Sequence, residues 1–163
     1  MALLVNPSNT VATENETRTV QAAARVLGLK LHILQASTER DFDAAFAKFA
    51  QLRVEALVIG SDLFFTSRSE QLAALTVRYA VPAIYQFREF TAAGGLMSYG
   101  GDFADWGRQA GMHTGRVLAG AKPADLPVQQ ATRVELFINL KSAKALGITV
   151  PLPLSGRADE VIE

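Results

Sequence analysis

Apolar residues along this chain come in short β-branched runs that alternate with longer amphipathic stretches. The clearest run is Ala56-Leu57-Val58-Ile59, which turns at Gly60 and delivers Ser61 and Asp62 where a helix begins. A buried parallel strand hands polar groups to a cleft in this way, and the same Ser or Asp also serves as an ordinary helix N-cap. Ala2 to Val5 predicts a first strand, ending in the turn-rich loop Asn6-Pro7-Ser8-Asn9-Thr10. Thr13 and Glu16 have the spacing of a capping box, Val20, Ala23, Ala24 and Leu27 follow on one helical face, and Gly28 ends that helix. Leu29 to Leu34 predicts a second strand. Ser37 and Thr38 offer caps for a helix that buries Phe42, Phe46 and Phe49. Beyond Gly60 a helix turns Leu72, Leu75 and Tyr79 inward. Val81 to Tyr85 predicts a fourth strand with Pro82 at its start, where a missing donor is tolerated. Gln86 to Ala93 predicts a short helix, and Leu96 to Tyr99 a fifth strand fenced by Gly94-Gly95 and Gly100-Gly101.

Strand and helix alternating at this spacing predict an α/β fold, a doubly wound parallel sheet inside a three-layer sandwich with right-handed crossovers. For five such units the flavodoxin-like order 2-1-3-4-5 sets the switch point between the first and third strands. The loops Asn6 to Thr10 and Gly60 to Phe65 then face each other.

The pattern changes after Gly101. Phe103, Trp106, Ala110, His113 and Val117 mark one helical face, and Gly107, Gly111 and Gly115 repeat every fourth residue beside it. Each glycine weakens a helix by roughly 1 kcal/mol relative to alanine, so three in register predict close backbone packing against another element. Lys122 to Val128, with two prolines, reads as a linker. Val134, Leu136, Ile138 and Leu140 then alternate with polar or larger neighbours, a strand with one buried face, followed by a helical turn over Lys141 to Leu146 and a cap at Gly147.

Composition narrows the chemistry. The chain has 163 residues, enough for one domain with a substantial core. Sixteen basic residues balance sixteen acidic ones, so no charge excess advertises nucleic acid or an anionic membrane surface. Cysteine is absent, which removes disulfides, thiolate metal sites and cysteine nucleophiles. No apolar run approaches a membrane span. The histidines, His32 and His113, have no metal-ligand partner three or four residues away, and Ser61-Asp62 lacks the flanking glycines of a nucleophile elbow. No catalytic residue, metal site or cofactor is expected.

Binding chemistry is richer. Ser8, Asn9 and Thr10 at the start of the first helix combine short polar side chains with free backbone N–H groups, a setting that favours a carboxylate. Asn6 lies beside them, and Asp62 across the crevice suits an ammonium, so the pair of loops fits a zwitterion. Phe64, Phe65, Tyr85, Phe87 and Tyr99 lie near strand ends, where a planar ligand can stack; one of Phe64 and Phe65 belongs to the core, since helical neighbours cannot both face a cleft. Two other classes fit the same pattern. A flavin- or phosphate-binding flavodoxin-like enzyme would use the hydroxyls of Ser8, Thr10 and Thr13, although that loop lacks glycine. The effector-binding domain of a transcriptional repressor would need a helix-turn-helix upstream.

The NPSN loop, PAIYQFREFTAAGGLMSYG, the GRQAG helix, GAKPADLPVQ, ELFINLKSAKALGITVP and RADEVIE together resemble the ABC transporter substrate-binding protein family that includes tryptophan-binding, TrpX-like components. The resemblance runs over essentially the whole chain and is most specific in its last third. It implies one lobe of a type I periplasmic binding fold: the second lobe and the C-terminal return, without the first lobe and its secretion signal or lipid anchor. On that reading residues 1–100 form the ligand-binding lobe, 101–130 a crossover helix and linker that pack on the absent first lobe, and 131–163 a return strand and helices that complete the lobe. The family pattern points at Asn6, Ser8, Asn9, Ser61, Asp62 and the Tyr85 to Phe87 turn as ligand contacts. It implies an amino acid or aromatic acid as ligand, an ABC permease as membrane partner and a periplasmic or extracytoplasmic lipoprotein setting. With the first lobe missing, Trp106 and the glycine face of its helix are expected to be exposed or borrowed by a second copy, giving a homodimer.

Overall fold

The computed structural model describes residues 1–128 and 133–163. Seven strands form one sheet in the order β2-β1-β3-β4-β5-β6-β7, where β1 is Ala2–Val5, β2 His32–Gln35, β3 Leu57–Ile59, β4 Ala83–Tyr85, β5 Met97–Gly101, β6 Val134–Asn139 and β7 Glu160–Ile162. The first five follow the flavodoxin-like order and are mutually parallel. β6 pairs antiparallel to β5, and β7 parallel to β6. The expected division between residues 130 and 131 lies outside the described residues.

The order reverses direction at β1, and right-handed crossovers therefore change face there. Helix α1 (Thr10–Val26) lies on one face of the sheet, while α2 (Glu39–Gln51), α4 (Ser69–Arg78) and α5 (Arg88–Ala92) share the other. On that second face the core is continuous. Leu4, Leu34, Leu57, Ile59 and Ala83 meet Phe42, Phe46 and Phe49 of α2, Leu72 and Leu75 of α4 and Phe90 of α5. The alternate residues Val58 and Ile84 turn toward the α1 side and are only half-buried. α1 itself is mostly exposed: Ala24 alone is buried, and Leu27, expected on its inner face, is 68% exposed.

Local chemistry explains several departures from the sequence pattern. Asn6–Asn9 already folds as a turn, so α1 starts at Thr10 with Asn9 as N-cap. Thr13 and Glu16 are therefore inside the helix and make no capping box; Thr13 Oγ1 donates instead to the Asn6 carbonyl at 2.6 Å. The box forms at α2, where the Asp41 carboxylate accepts the Ser37 and Thr38 N–H groups at 2.9 and 2.7 Å, which holds it below the usual carboxylate range. Gly100 and Gly101 do not fence β5 but belong to it. A Cβ on Gly100 would stand 2.1 Å from the Gln86 carbonyl oxygen, and one on Gly101 2.4 Å from the Trp106 ring. β6 is buried on both faces at its inner end, through Phe137, Ile138 and Asn139, whereas Val134 is exposed.

Helix α6 (Phe103–Leu118) leaves the carboxyl end of β5 and buries none of its residues. The close packing expected of Gly107, Gly111 and Gly115 is not made among the described residues, since a Cβ at any of them meets nothing there within 4 Å. Among the described residues its first turn is anchored by Phe103 and Trp106 against Phe87. Alanine at Gly101 should therefore cost about 1–3 kcal/mol through overpacking, while alanine at Gly107 should stabilise by up to about 1 kcal/mol, both read from urea unfolding.

Candidate functional site

β1 and β3 are neighbours at the switch point, and their carboxyl ends carry the two polar loops. Asp62 joins them. It is the N-cap of the short helix α3 (Leu63–Thr66), and its Oδ1 accepts the Phe64 N–H at 2.9 Å. Oδ1 also accepts from Asn6 Nδ2 at 2.9 Å, and Oδ2 from Asn9 Nδ2 at 3.1 Å. Asn6 Oδ1 in turn accepts the Ser8 N–H at 3.1 Å, so one hydrogen-bonded chain runs from the first loop to the second. A carboxylate offers about four lone-pair directions, and this network fills three of them, leaving Oδ2 able to accept one further donor.

Ser61 is held from its other side. Its N–H donates to Glu16 Oε1 at 2.7 Å, which ties α1 to the end of β3. A Cβ on Gly60 would stand 2.6 Å from Glu16 Oε2 and 2.8 Å from the Leu4 carbonyl, so only glycine lets the carboxylate approach. Burial raises the Glu16 pKa above the ordinary value, the Ser61 N–H lowers it, and the negative charge of Asp62 raises it further.

Beside Asp62 lies a hollow of about 220 Å³, lined by Asn9, Ser61, Asp62, Leu63, Gln86, Phe87, Phe103 and Trp106. Its aromatic wall is rigid: Phe87 stacks on Phe103 at 4.0 Å, and Trp106 stands edge-on to both, 5.9 Å from Phe87 and 5.3 Å from Phe103. Two buried polar atoms on these walls, Gln86 Oε1 and Trp106 Nε1, have no hydrogen-bond partner among the described residues.

The predicted residues divide accordingly. Asn6, Asn9, Ser61 and Asp62 come together, with Ser8 and Thr10 exposed at the start of α1. Phe87 reaches the hollow with its ring largely buried. Phe64 and Phe65 both turn to the core, Phe64 stacked on Phe42 at 5.4 Å and Phe65 fully buried, because α3 lies over α2. Tyr85 is also core. Its ring stacks on Phe90 at 4.6 Å, its hydroxyl shares a 2.9 Å bond with Thr76 Oγ1, and burial pushes its ionisation far above the normal range. Tyr99 is 59% exposed on the sheet face, away from the hollow. Phe103 and Trp106, expected only to pack on another lobe, are wall residues, and Leu63, 78% exposed at the rim, carried no signal beyond its place after Asp62. Among the described residues no three His, Cys, Asp or Glu side chains are grouped to hold a metal ion, and no helix is long and apolar enough to cross a membrane.

This sheet, with its polar loops gathered at one carboxyl edge, is the architecture of a lobe from a periplasmic binding protein. The sequence model of the ABC transporter substrate binding protein family matches residues 1–162, and the chain belongs to that family. Two solved structures are similar at 25% identity and a TM-score of 0.86. One is a conserved domain protein from Vibrio cholerae, matched over 98% of this chain and 53% of that one. The other is an ABC domain from Streptococcus pneumoniae in complex with L-Trp, matched over 99% and 55%. The ligand-free, open form of CD0873, a substrate binding protein with adhesive properties from Clostridium difficile, shares the fold at 18% identity and a TM-score of 0.71, over 99% of this chain and 53% of that one. This chain thus spans about half the length of each. No curated protein matches.

The Glu16 carboxyl gives a signed pH test. A carboxyl whose folded pKa is raised holds its proton more tightly when folded, so its contribution to stability is greatest below the unfolded value and declines as pH rises through the folded one. Glu16→Gln, which keeps an acceptor for Ser61, should raise the thermal midpoint at pH 7 and leave it unchanged near pH 4. Equal shifts at both pH values would contradict the assignment.

Proposed function

We propose that this chain grips a small molecule at the carboxyl edge of its sheet and acts, without catalysing a reaction, as the solute-binding component of an ABC import system. The observation that carries this reading is the Asn6–Asp62–Asn9 network, which joins two loops into one polar rim beside an aromatic hollow. The open lone pair of Asp62 Oδ2 suits a ligand ammonium, and the N–H groups at the start of α1 suit a carboxylate. The rings of Phe87, Phe103 and Trp106 suit a planar side chain. The L-Trp bound to the Streptococcus pneumoniae neighbour supports an aromatic amino acid as the first candidate, with aromatic carboxylates next.

Residues 1–100 are the gripping lobe, and 131–163 complete it. Residues 101–130 cross to a complementary lobe, in keeping with a chain half as long as its structural neighbours. Closure of the two lobes is an equilibrium that ligand shifts through its differential contacts, and a membrane permease recognises the closed form. The protein works in the periplasm or as an extracytoplasmic lipoprotein. For this chain on its own the reading extends to a homodimer, since α6 buries none of its residues.

An amide chemical-shift titration with amino acids, aromatic acids and flavin mononucleotide tests it. Shifts should cluster at residues 6–10, 61–63 and 86–87 with an amino or aromatic acid, and Asp62→Asn should weaken binding by about tenfold or more, roughly 1.4 kcal/mol. A response to the flavin alone, or no response at these amides, would contradict it.

A further inference from the structure

Among the described residues Asp62 is the one charged group lining the aromatic hollow, and it has no ion-pair partner. Its three hydrogen bonds come from the neutral amides of Asn6 and Asn9 and from the Phe64 N–H, which orient the carboxylate without cancelling its charge. The cations of the neighbouring elements are engaged elsewhere. Arg18 donates to Asn15, Arg68 pairs with Glu39, Arg88 with Glu160 and Arg108 with Asp105. A second hollow, of about 380 Å³, meets the first at Ser61 and Gln86 and is lined by Glu16, again with no Lys, Arg or His on its walls. Burial raises the Glu16 pKa and the Ser61 N–H lowers it, but the charge of Asp62 raises it too, so the field of Asp62 reaches past the end of β3 uncompensated.

The rest of the wall favours the same sign of charge. Phe87, Phe103 and Trp106 lower the local dielectric, which strengthens the interaction of a bound charge with Asp62. Aromatic faces attract a cation, and the open lone pair of Asp62 Oδ2 accepts its N–H. An anion in the same place meets a carboxylate and no cation to offset it. The free N–H groups at the start of α1 do not make up the difference, because Thr10 and Val11 are exposed and stand outside the lining, where water competes for an anion. Trp106 Nε1, the unpaired donor of the wall, is neutral and lies beneath its surface.

We propose that this chain selects its ligand by positive charge: the substrate class is an aromatic amine, a planar ring carrying an ammonium, and the carboxylate of an amino acid adds little to affinity for this chain. The ammonium sits on Asp62 Oδ2 and the ring lies against Phe87, Phe103 and Trp106. The inference rests on the ligand site proposed above and divides its candidates, keeping the ring that bears an amine and removing the plain aromatic carboxylate.

Three compounds with one ring system test it by amide chemical-shift titration: tryptamine carries the ammonium alone, indole-3-propionate the carboxylate alone, and L-Trp both. Tryptamine should bind within about fivefold of L-Trp, and indole-3-propionate at least about tenfold more weakly than tryptamine, with shifts at residues 61–63 and 86–87. Asp62→Asn, which keeps an acceptor for the Phe64 N–H, should weaken tryptamine by about tenfold or more and should not weaken indole-3-propionate. Indole-3-propionate bound as tightly as tryptamine, or L-Trp bound more than about fivefold tighter than tryptamine, would overturn the proposal and leave the ligand site standing. Tryptamine bound without L-Trp would keep the proposal and remove the amino acid. Silence at these amides with all three compounds would overturn the proposal and the ligand site together.

Discussion

Asp62 holds the two loops of the candidate site together. Its two oxygens receive the Asn6 and Asn9 amides from the loop after β1 and the Phe64 N–H from its own helix. Loops at strand ends have little apolar burial of their own and are ordinarily the mobile parts of a fold. Here a charge-assisted network ties two of them, and the Glu16–Ser61 bond ties the second to α1. The result is a preformed polar rim, so less ordering is required when a ligand arrives.

The chirality of crossovers shapes what surrounds that rim. Because strand order reverses at β1, α2 to α5 fall on one face and build a dense aromatic core, while α1 lies on the other. β5 then sends α6 outward rather than back across the sheet. Among the described residues α6 is accordingly anchored at its first turn, and none of its residues is buried.

Much of this was legible in the sequence, for identifiable reasons. Period 3.6 placed Phe42, Phe46 and Phe49 in the core, and the Gly60-Ser61-Asp62 sequence marked the end of β3, because strand ends and helix caps are written in local chemistry. The family was legible in its last third, and the comparisons bear it out. What failed depended on distant partners. Thr13 and Glu16 have the spacing of a capping box, yet their hydrogen bonds go to Asn6 and Ser61. Tyr85 sits at a strand end like a ligand-stacking ring, yet Thr76, on a different element, claims its hydroxyl. Gly100 and Gly101 look like punctuation, but they are strand residues that make room for Gln86 and Trp106. Trp106 reads as a contact for another lobe, and only the stacking of Phe87 on Phe103 brings it to the wall of the hollow.

Asp62 couples the two loops into one surface, and a double-mutant cycle measures that coupling. Asn6→Ala, Asp62→Ala and the double variant, compared by urea unfolding, should show a coupling of about 1 kcal/mol or more, with the double variant less destabilised than the single losses together predict. Additivity within about 0.3 kcal/mol would mean that the loops are independent, and the account of the rim would fail.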